Sequence, residues 1–303
     1  MDVTISNKKQ AWLHAVRLRT LPLALSSILM GSLLAANSNN FRWHVFILAA
    51  LTTIFLQVLS NLSNDYGDSI HGADSEDRKG PVRAVQSGMI ELSEMKRAIV
   101  ILSALSLFSG LSLLYFSLQD WKLFFLFLGF GILAIWAAIT YTSGKNPYGY
   151  MGLGDISVFL FFGLLGVAGT YFLHSMDLSV EVFWPAISLG CFSTAVLNIN
   201  NIRDIESDKK AGKKSIPVRI GRNKAILYNW ILLLAGNISL LLFALTNEAE
   251  GSMLAFLTLP LMIFIGKSVQ IKKEAHELDP YLKKMAISTL MWVILFGIGL
   301  LFF

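Results

Sequence analysis

The run Leu123-Phe-Phe-Leu-Phe-Leu-Gly-Phe-Gly-Ile-Leu-Ala-Ile-Trp-Ala-Ala-Ile139 lies in a block, residues 121–142, whose length decides the fold. No charged side chain occurs between Lys122 and Lys145. About 20 apolar residues wound as a helix cross roughly 30 Å of hydrocarbon. A helix also satisfies its own backbone hydrogen bonds in lipid. Eight more blocks of similar character follow this pattern, at 20–37, 43–63, 94–117, 154–174, 180–200, 223–245, 251–268 and 285–303. The 303 residues are 54% apolar and 15% charged, with a mean hydropathy of +0.60, whereas soluble domains carry about 25% charged residues. Length alone permits soluble domains; the blocks exclude them. An all-α, polytopic membrane protein with nine spanning helices is expected.

Charge placement tests this topology independently. With the N-terminus in the cytoplasm and nine alternating spans, every one of the 25 basic residues except Arg42 and Lys122 falls on the cytoplasmic side. Such asymmetry is the positive-inside bias, and a missed span would invert every later loop. The last such group, Lys272, Lys273, Lys283 and Lys284, is read as plain inside-loop charge. The net charge of +5 therefore belongs to membrane-flanking loops and points to the lipid bilayer, not to nucleic acid. The lone Cys191 excludes an intrachain disulfide. The basic start and the apolar run from Leu21 are read as a retained first helix, since eight spans follow.

Two inside loops, about 64–93 and 201–222, carry most of the polar chemistry, and each follows a helix ending in Asn and Asp. The first begins Asn61-Leu-Ser-Asn64-Asp65-Tyr-Gly-Asp68 and reaches Asp74; the second begins Asn198-Ile-Asn200-Asn201-Ile-Arg203-Asp204 and reaches Asp208. They end spans 2 and 6, which suggests two related halves, about 11–145 and 146–270, plus a final helix. Repeats of this kind place a site at their interface. Asn200, Asp204 and Asp208 are spaced i, i+4, i+8, on one helical face; Asn64 and Asp68 share the first step. Like charges at i, i+4 destabilise a helix, and carboxylates beside hydrocarbon are functional candidates. Two groups of hard oxygen ligands without Cys or His suit Mg²⁺ completed by a substrate pyrophosphate. Lys145, Lys209 and the neighbouring Arg78, Lys79, Arg83, Lys210, Lys213 and Lys214 would add positive charge to a departing pyrophosphate.

Each residue alone has a plainer reading. Asp74 or Asp155 reads as a solvated carboxylate or a helix cap, Lys209 as a topology determinant, Asn200 as a bond to a neighbouring helix, and Tyr141 as an interface aromatic. The matched spacing of the two clusters resists that reading.

Asn64-Asp65-Tyr-Gly-Asp68, Asn200-Asn-Ile-Arg-Asp204-Ile-Glu-Ser-Asp208 and Tyr141-Thr-Ser-Gly-Lys145 resemble the UbiA family of intramembrane aromatic prenyltransferases, along essentially the whole chain. Arg17-Leu-Arg-Thr-Leu-Pro22 and Gly80-Pro-Val-Arg83-Ala-Val-Gln-Ser-Gly88 resemble the branch that prenylates 1,4-dihydroxy-2-naphthoate for menaquinone synthesis. The resemblance implies nine helices bundled around a central cavity in the plasma (inner) membrane, with the site at the cytoplasmic face. It implies Mg²⁺ on Asn64, Asp65, Asp68, Asp74, Asn200, Asp204 and Asp208. Pyrophosphate would meet Asn64, Arg83, Lys145, Asn200 and Lys209. Asp68, Tyr141, Lys145 and Asp204 would be catalytic, and Arg17 would bind the acceptor. Gly72 replaces the third acidic residue of many relatives, with Asp74 two residues later. The implied partners are polyprenyl diphosphate and dihydroxynaphthoate, with no obligate protein partner. Prenylation of 4-hydroxybenzoate or homogentisate is the nearest alternative, and a cation-coupled transporter is a second.

Overall fold

The computed structural model describes residues 7–70, 84–85 and 88–303. Among them, nine helices are long and apolar enough to cross a membrane, and there is no strand. They are α1 (Lys8–Asn37), α2 (Trp43–Ile70), α3 (Leu92–Ser117), α4 (Trp121–Thr140), α5 (Gly154–Ser175), α6 (Val180–Arg203), α7 (Arg222–Thr246), α8 (Glu250–Ile271) and α9 (Ala275–Phe302).

The helices pack unequally, and their sequences say why. In α4 the apolar residues run all round, and only 6% of its most apolar window is buried, so Phe125, Leu126, Leu133 and Trp136 face outward. In α6 the figure is 72%; its small and polar residues Gly190, Ser188, Ser193 and Thr194 let neighbours approach closely. A Cβ on Gly163 of α5 would lie 2.7 Å from the Gly190 Cα and from the Ala186 carbonyl oxygen, so that crossing admits only hydrogen. α6 packs on α5, α7 and α9, while α1 packs on α2, α5 and α9. The largest buried cluster lies there, with Trp292 of α9 stacked on Phe296 (5.8 Å) and edge-on to Phe192 of α6 (5.1 Å). α2, α3 and α4 form the other side of the bundle.

Three boundaries differ from the sequence expectation. α2 continues past its apolar block to Ile70, so Asn64, Asp65 and Asp68 stand on a helix rather than in a loop. α9 starts ten residues early, at Ala275, because Glu274 and Glu277 form a reciprocal capping box. Lys283 and Lys284 are therefore helical; the Lys284 ammonium lies 4.7 Å from the Tyr281 ring centre and 5.4 Å from that of Phe264. Finally, α1 breaks at Arg17, which adopts left-handed backbone (φ 51, ψ 58) between Lys8–Val16 and Leu21–Asn37. Within α5, residues Phe159–Gly169 wind as a wide π-helix.

Candidate functional site

The last turns of α2 carry the first cluster. Asn64 and Asp68 lie one turn apart on one face; Asp65 is rotated away and forms an ion pair with Arg17. The α1 break is what brings Arg17 there. Its exposed carbonyl at Val16 accepts from the Asn61 amide (2.8 Å), which also donates to Thr20 Oγ1 (3.0 Å). A buried helix end left without such a partner would be costly.

The segment 141–153 bridges the two clusters. Thr142 Oγ1 lies within donating distance of the Ser63 carbonyl (3.1 Å) and Asn64 Oδ1 (3.2 Å). Gly67 permits this approach: a Cβ there would sit 2.5 Å from the Thr142 carbonyl oxygen. The Tyr150 hydroxyl donates to Asp68 Oδ1 at 2.8 Å, and the Tyr150 carbonyl accepts from the Lys214 amide at 2.8 Å. Lys213 Nζ stands 5.5 Å from the Tyr150 ring centre. Tyr141 packs edge-on against Tyr148 (5.3 Å). Burial holds the Tyr141 phenol well above its ordinary range, and Tyr148, Asp155, Asp208 and Asp68 push the same way.

The second cluster straddles the end of α6. Asp204 leaves the helix (φ −98, ψ 11) and starts the short helix Ile205–Lys210. The expected i, i+4, i+8 ladder survives this kink: the Asp204 amide donates to Asn200 O (3.1 Å) and the Asp208 amide to Asp204 O (2.8 Å). Arg203, with a side chain only 2% exposed, donates from Nε and Nη2 to the two carboxylate oxygens of Asp204 (2.8 and 2.6 Å). Its Nη2 also meets Asn200 Oδ1 (2.9 Å), and its Nη1 meets Asp279 Oδ1 of α9 (2.6 Å). Asp279 Oδ2 accepts from Arg19 at 3.0 Å. Asp208 faces Lys213 Nζ at 3.5 Å and Ser215 Oγ at 3.3 Å. Burial raises the Asp208 carboxyl above the usual carboxylate range; Lys213 opposes this, while Asp204 and Asp68 reinforce it. Asp208 therefore lies in the fields of Asp204 and Asp68, and Tyr150 with Lys213 links it to Asp68.

Several of the expected site residues are thus brought together: Asn64, Asp68, Asn200, Asp204 and Asp208, with Tyr141 beside them. Lys145 and Lys209 are exposed at the same end. Asp74 and Arg83 lie outside the described residues. Arg17 is placed on Asp65 by an ion pair. Tyr150, Thr142 and Asp279 were not singled out from the sequence. Tyr150 lies in the segment between α4 and α5, where no spacing tied it to Asp68; Asp279 is a single acid remote from both clusters.

The donor set suits a hard divalent cation: carboxylates and amide oxygens without sulfur or imidazole. Among the described residues no three acidic, His or Cys side chains are gathered into a ready cage. That fits Mg²⁺, which binds through one or two carboxylates plus waters and phosphate oxygens. Below the clusters a cavity of about 380 Å³ runs between α1 and α5, from Asn61, Asn64 and Tyr141 to Ala49, Phe127 and Leu173. Its walls are mostly aliphatic and aromatic, the π-helical stretch of α5 among them.

The described fold is similar to that of a UbiA homologue from Aeropyrum pernix K1, with a TM-score of 0.68 at 19% identity, covering 93% of this chain and 97% of that one. A UbiA homologue from Archaeoglobus fulgidus bound to GPP and Mg²⁺ gives 0.64 at 18%, covering 94% and 99%. The sequence is 46% identical over 300 residues to a 1,4-dihydroxy-2-naphthoate octaprenyltransferase of Haemophilus influenzae, covering 98% of this chain and 97% of that one. It is 42% identical over 295 residues to the protein of the same name from Escherichia coli K12, covering 97% and 96%. The family model for UbiA prenyltransferases matches residues 24–302, so this chain belongs to the UbiA prenyltransferase family.

Proposed function

We propose that this integral membrane protein transfers a polyprenyl group, eight isoprene units long as in the names of its relatives, from its diphosphate to 1,4-dihydroxy-2-naphthoate. The joining of the two clusters beside an apolar cavity carries this reading: the Tyr150 hydroxyl bonds Asp68, Lys213 beside the Tyr150 ring faces Asp208, and Asn64 and Tyr141 line the cavity. The relatives' shared name supports the acceptor. The cluster-bearing end is assigned to the cytoplasmic face of the plasma (inner) membrane by the distribution of Lys and Arg.

Asn64, Asp68, Asn200, Asp204 and Asp208 are the residues that would hold Mg²⁺, with Asp65 and Asp74 in the same motif. Bound there, the ion would neutralise pyrophosphate oxygens and stabilise the leaving charge. Lys145, Lys209 and Arg83 would add positive charge to the pyrophosphate. Tyr141, which lines the cavity, presents its phenol beside the first cluster. The allylic C–O bond breaks and its electron pair leaves with pyrophosphate. The cavity walls exclude water from the resulting allylic cation. The ring carbon bearing the carboxylate attacks, a C–C bond forms, and CO₂ departs, returning its electron pair to the ring. The product is a demethylmenaquinol.

The test is turnover by purified protein in detergent, with labelled octaprenyl diphosphate and dihydroxynaphthoate, in Mg²⁺ or in EDTA. Prenylated naphthol and CO₂ in Mg²⁺ alone is the expected result. Product with 4-hydroxybenzoate or homogentisate instead would move the acceptor. No transfer to any of the three by folded protein would overturn the reading in favour of transport.

A further inference from the structure

The two acidic clusters are joined by a chain of charges in which Arg19, Arg203 and Asp279 have no part in the function above. Asp65 pairs with Arg17. Arg17 and Arg19 flank Leu18 in the α1 break. Arg19 donates to Asp279 Oδ2 at 3.0 Å, and Asp279 Oδ1 takes Arg203 Nη1 at 2.6 Å. Arg203 then holds Asn200 and both oxygens of Asp204. The relay runs from α2 through α1 and α9 to α6.

We propose that Asp279 is a positioning residue that, acting through Arg203, fixes the orientation of Asn200 and Asp204, and that the α1 break couples this setting to the first cluster. Arg203 donates through a rigid planar fork. With Nε and Nη2 committed to Asp204 and Asn200, the orientation of the plane depends on what holds Nη1, and Asp279 does so. Arg203 is nearly fully buried, so water is a poor substitute for the lost partner. Asp279 itself is about a quarter exposed and touches none of the described residues assigned to pyrophosphate. Its effect on the reaction is therefore indirect, like that of partners that orient metal ligands, whose loss lowers metal affinity or activity roughly 10- to 100-fold.

The inference rests on the prenyltransferase reading, and its test separates the two. In Asp279→Asn, the Mg²⁺ half-saturation and the KM for octaprenyl diphosphate should each rise about tenfold, within the range for orienting partners. The KM for dihydroxynaphthoate and kcat at saturation should stay near wild type. Asp279→Glu should restore most of the loss. Arg19→Gln, which leaves the Asp279–Arg203 bond in place, should shift the same constants less. A readout independent of turnover is the thermal stabilisation of the protein by Mg²⁺ with inorganic pyrophosphate, since a ligand that binds the folded state raises its melting temperature. It should shrink in Asp279→Asn and recover in Asp279→Glu. Unchanged half-saturation and stabilisation in Asp279→Asn would overturn the proposal. So would a fall in kcat alone, or an equal loss in Asn and Glu variants. Absence of turnover and stabilisation in the wild type would instead sink the prenyltransferase reading.

Discussion

Asp68 stands where α2, the 141–153 segment and the field of the second cluster meet. Its Oδ1 accepts the Tyr150 hydroxyl, and it adds to the negative potential at Asp208 and Tyr141. Asp68→Ala and Asp204→Ala should each leave an inserted, folded protein whose turnover falls at least about 100-fold, the top of the range for partners that merely orient metal ligands. Near-normal activity in both would refute the assigned roles. Tyr150→Phe is the subtler probe. It removes one donor to the Asp68 carboxyl, a bond of roughly 1.5 kcal/mol, so kcat/KM for the diphosphate should fall about tenfold with little change in melting temperature. At this scale the sequence was legible where chemistry repeats at helical spacing: Asn64 with Asp68, and Asn200, Asp204 with Asp208. It was illegible where one residue meets a distant one without a pattern. Nothing around Tyr150 or Asp279 distinguishes it from an ordinary loop tyrosine or a surface acid. The pairing of Arg17 with Asp65 likewise depends on a left-handed residue that no glycine marks.

Helix number was legible because hydrocarbon thickness imposes a length on every apolar block. Helix ends were not, because a helix continues into water wherever caps and packing support it. α2 runs to Ile70 on the strength of the Thr142 and Tyr150 contacts, and α9 starts at its Glu274–Glu277 box. Nor does hydropathy reveal which apolar helix is central. α4 and α6 both read as spans, yet the first is peripheral and the second is the hub. Glycine position exposes the difference. Gly163→Val would force methyl groups into the Gly190 Cα and the Ala186 carbonyl, whereas Gly129 of α4 has nothing within 4 Å of its would-be Cβ. Overpacking of that kind costs about 1–3 kcal/mol. Gly163→Val should therefore lower the melting temperature of the detergent-solubilised protein by several degrees, and Gly129→Val should leave it within a degree or so. Equal shifts would contradict the assignment of α6 as the central helix.

At the scale of the whole molecule, the cavity and the proposed octaprenyl substrate differ in size. Along α2 the cavity extends from Ala49 to Asn64, about 22 Å at the helical rise. Cavities of roughly 300–1,000 Å³ hold drug-sized ligands, and an eight-isoprene chain beside an aromatic acceptor is larger. Part of the chain has to lie outside. On that proposal the place is an outward-facing groove between α3 and α4: it is lined by Ala104, Leu107, Ile132, Ile135 and Trp136, and it shares Leu107 and Ile135 with the cavity. Its Ser103 hydroxyl is turned back onto the Ile99 carbonyl (2.8 Å), leaving an apolar surface. Trp136 in turn stacks on Tyr148, which lines the cavity (6.4 Å between ring centres). A slit open sideways also lets a lipid-anchored chain slide in rather than thread end-first. Filling the groove should therefore penalise long donors alone. Ala104→Trp and Ile132→Trp should each lower kcat/KM for octaprenyl diphosphate about tenfold, the effect of about 1.4 kcal/mol. Turnover of the two-isoprene geranyl diphosphate should remain at the wild-type level, and that activity also reports that the variants are folded. Loss of both donors to the same degree, or of neither, would show that the surplus chain leaves the bundle elsewhere.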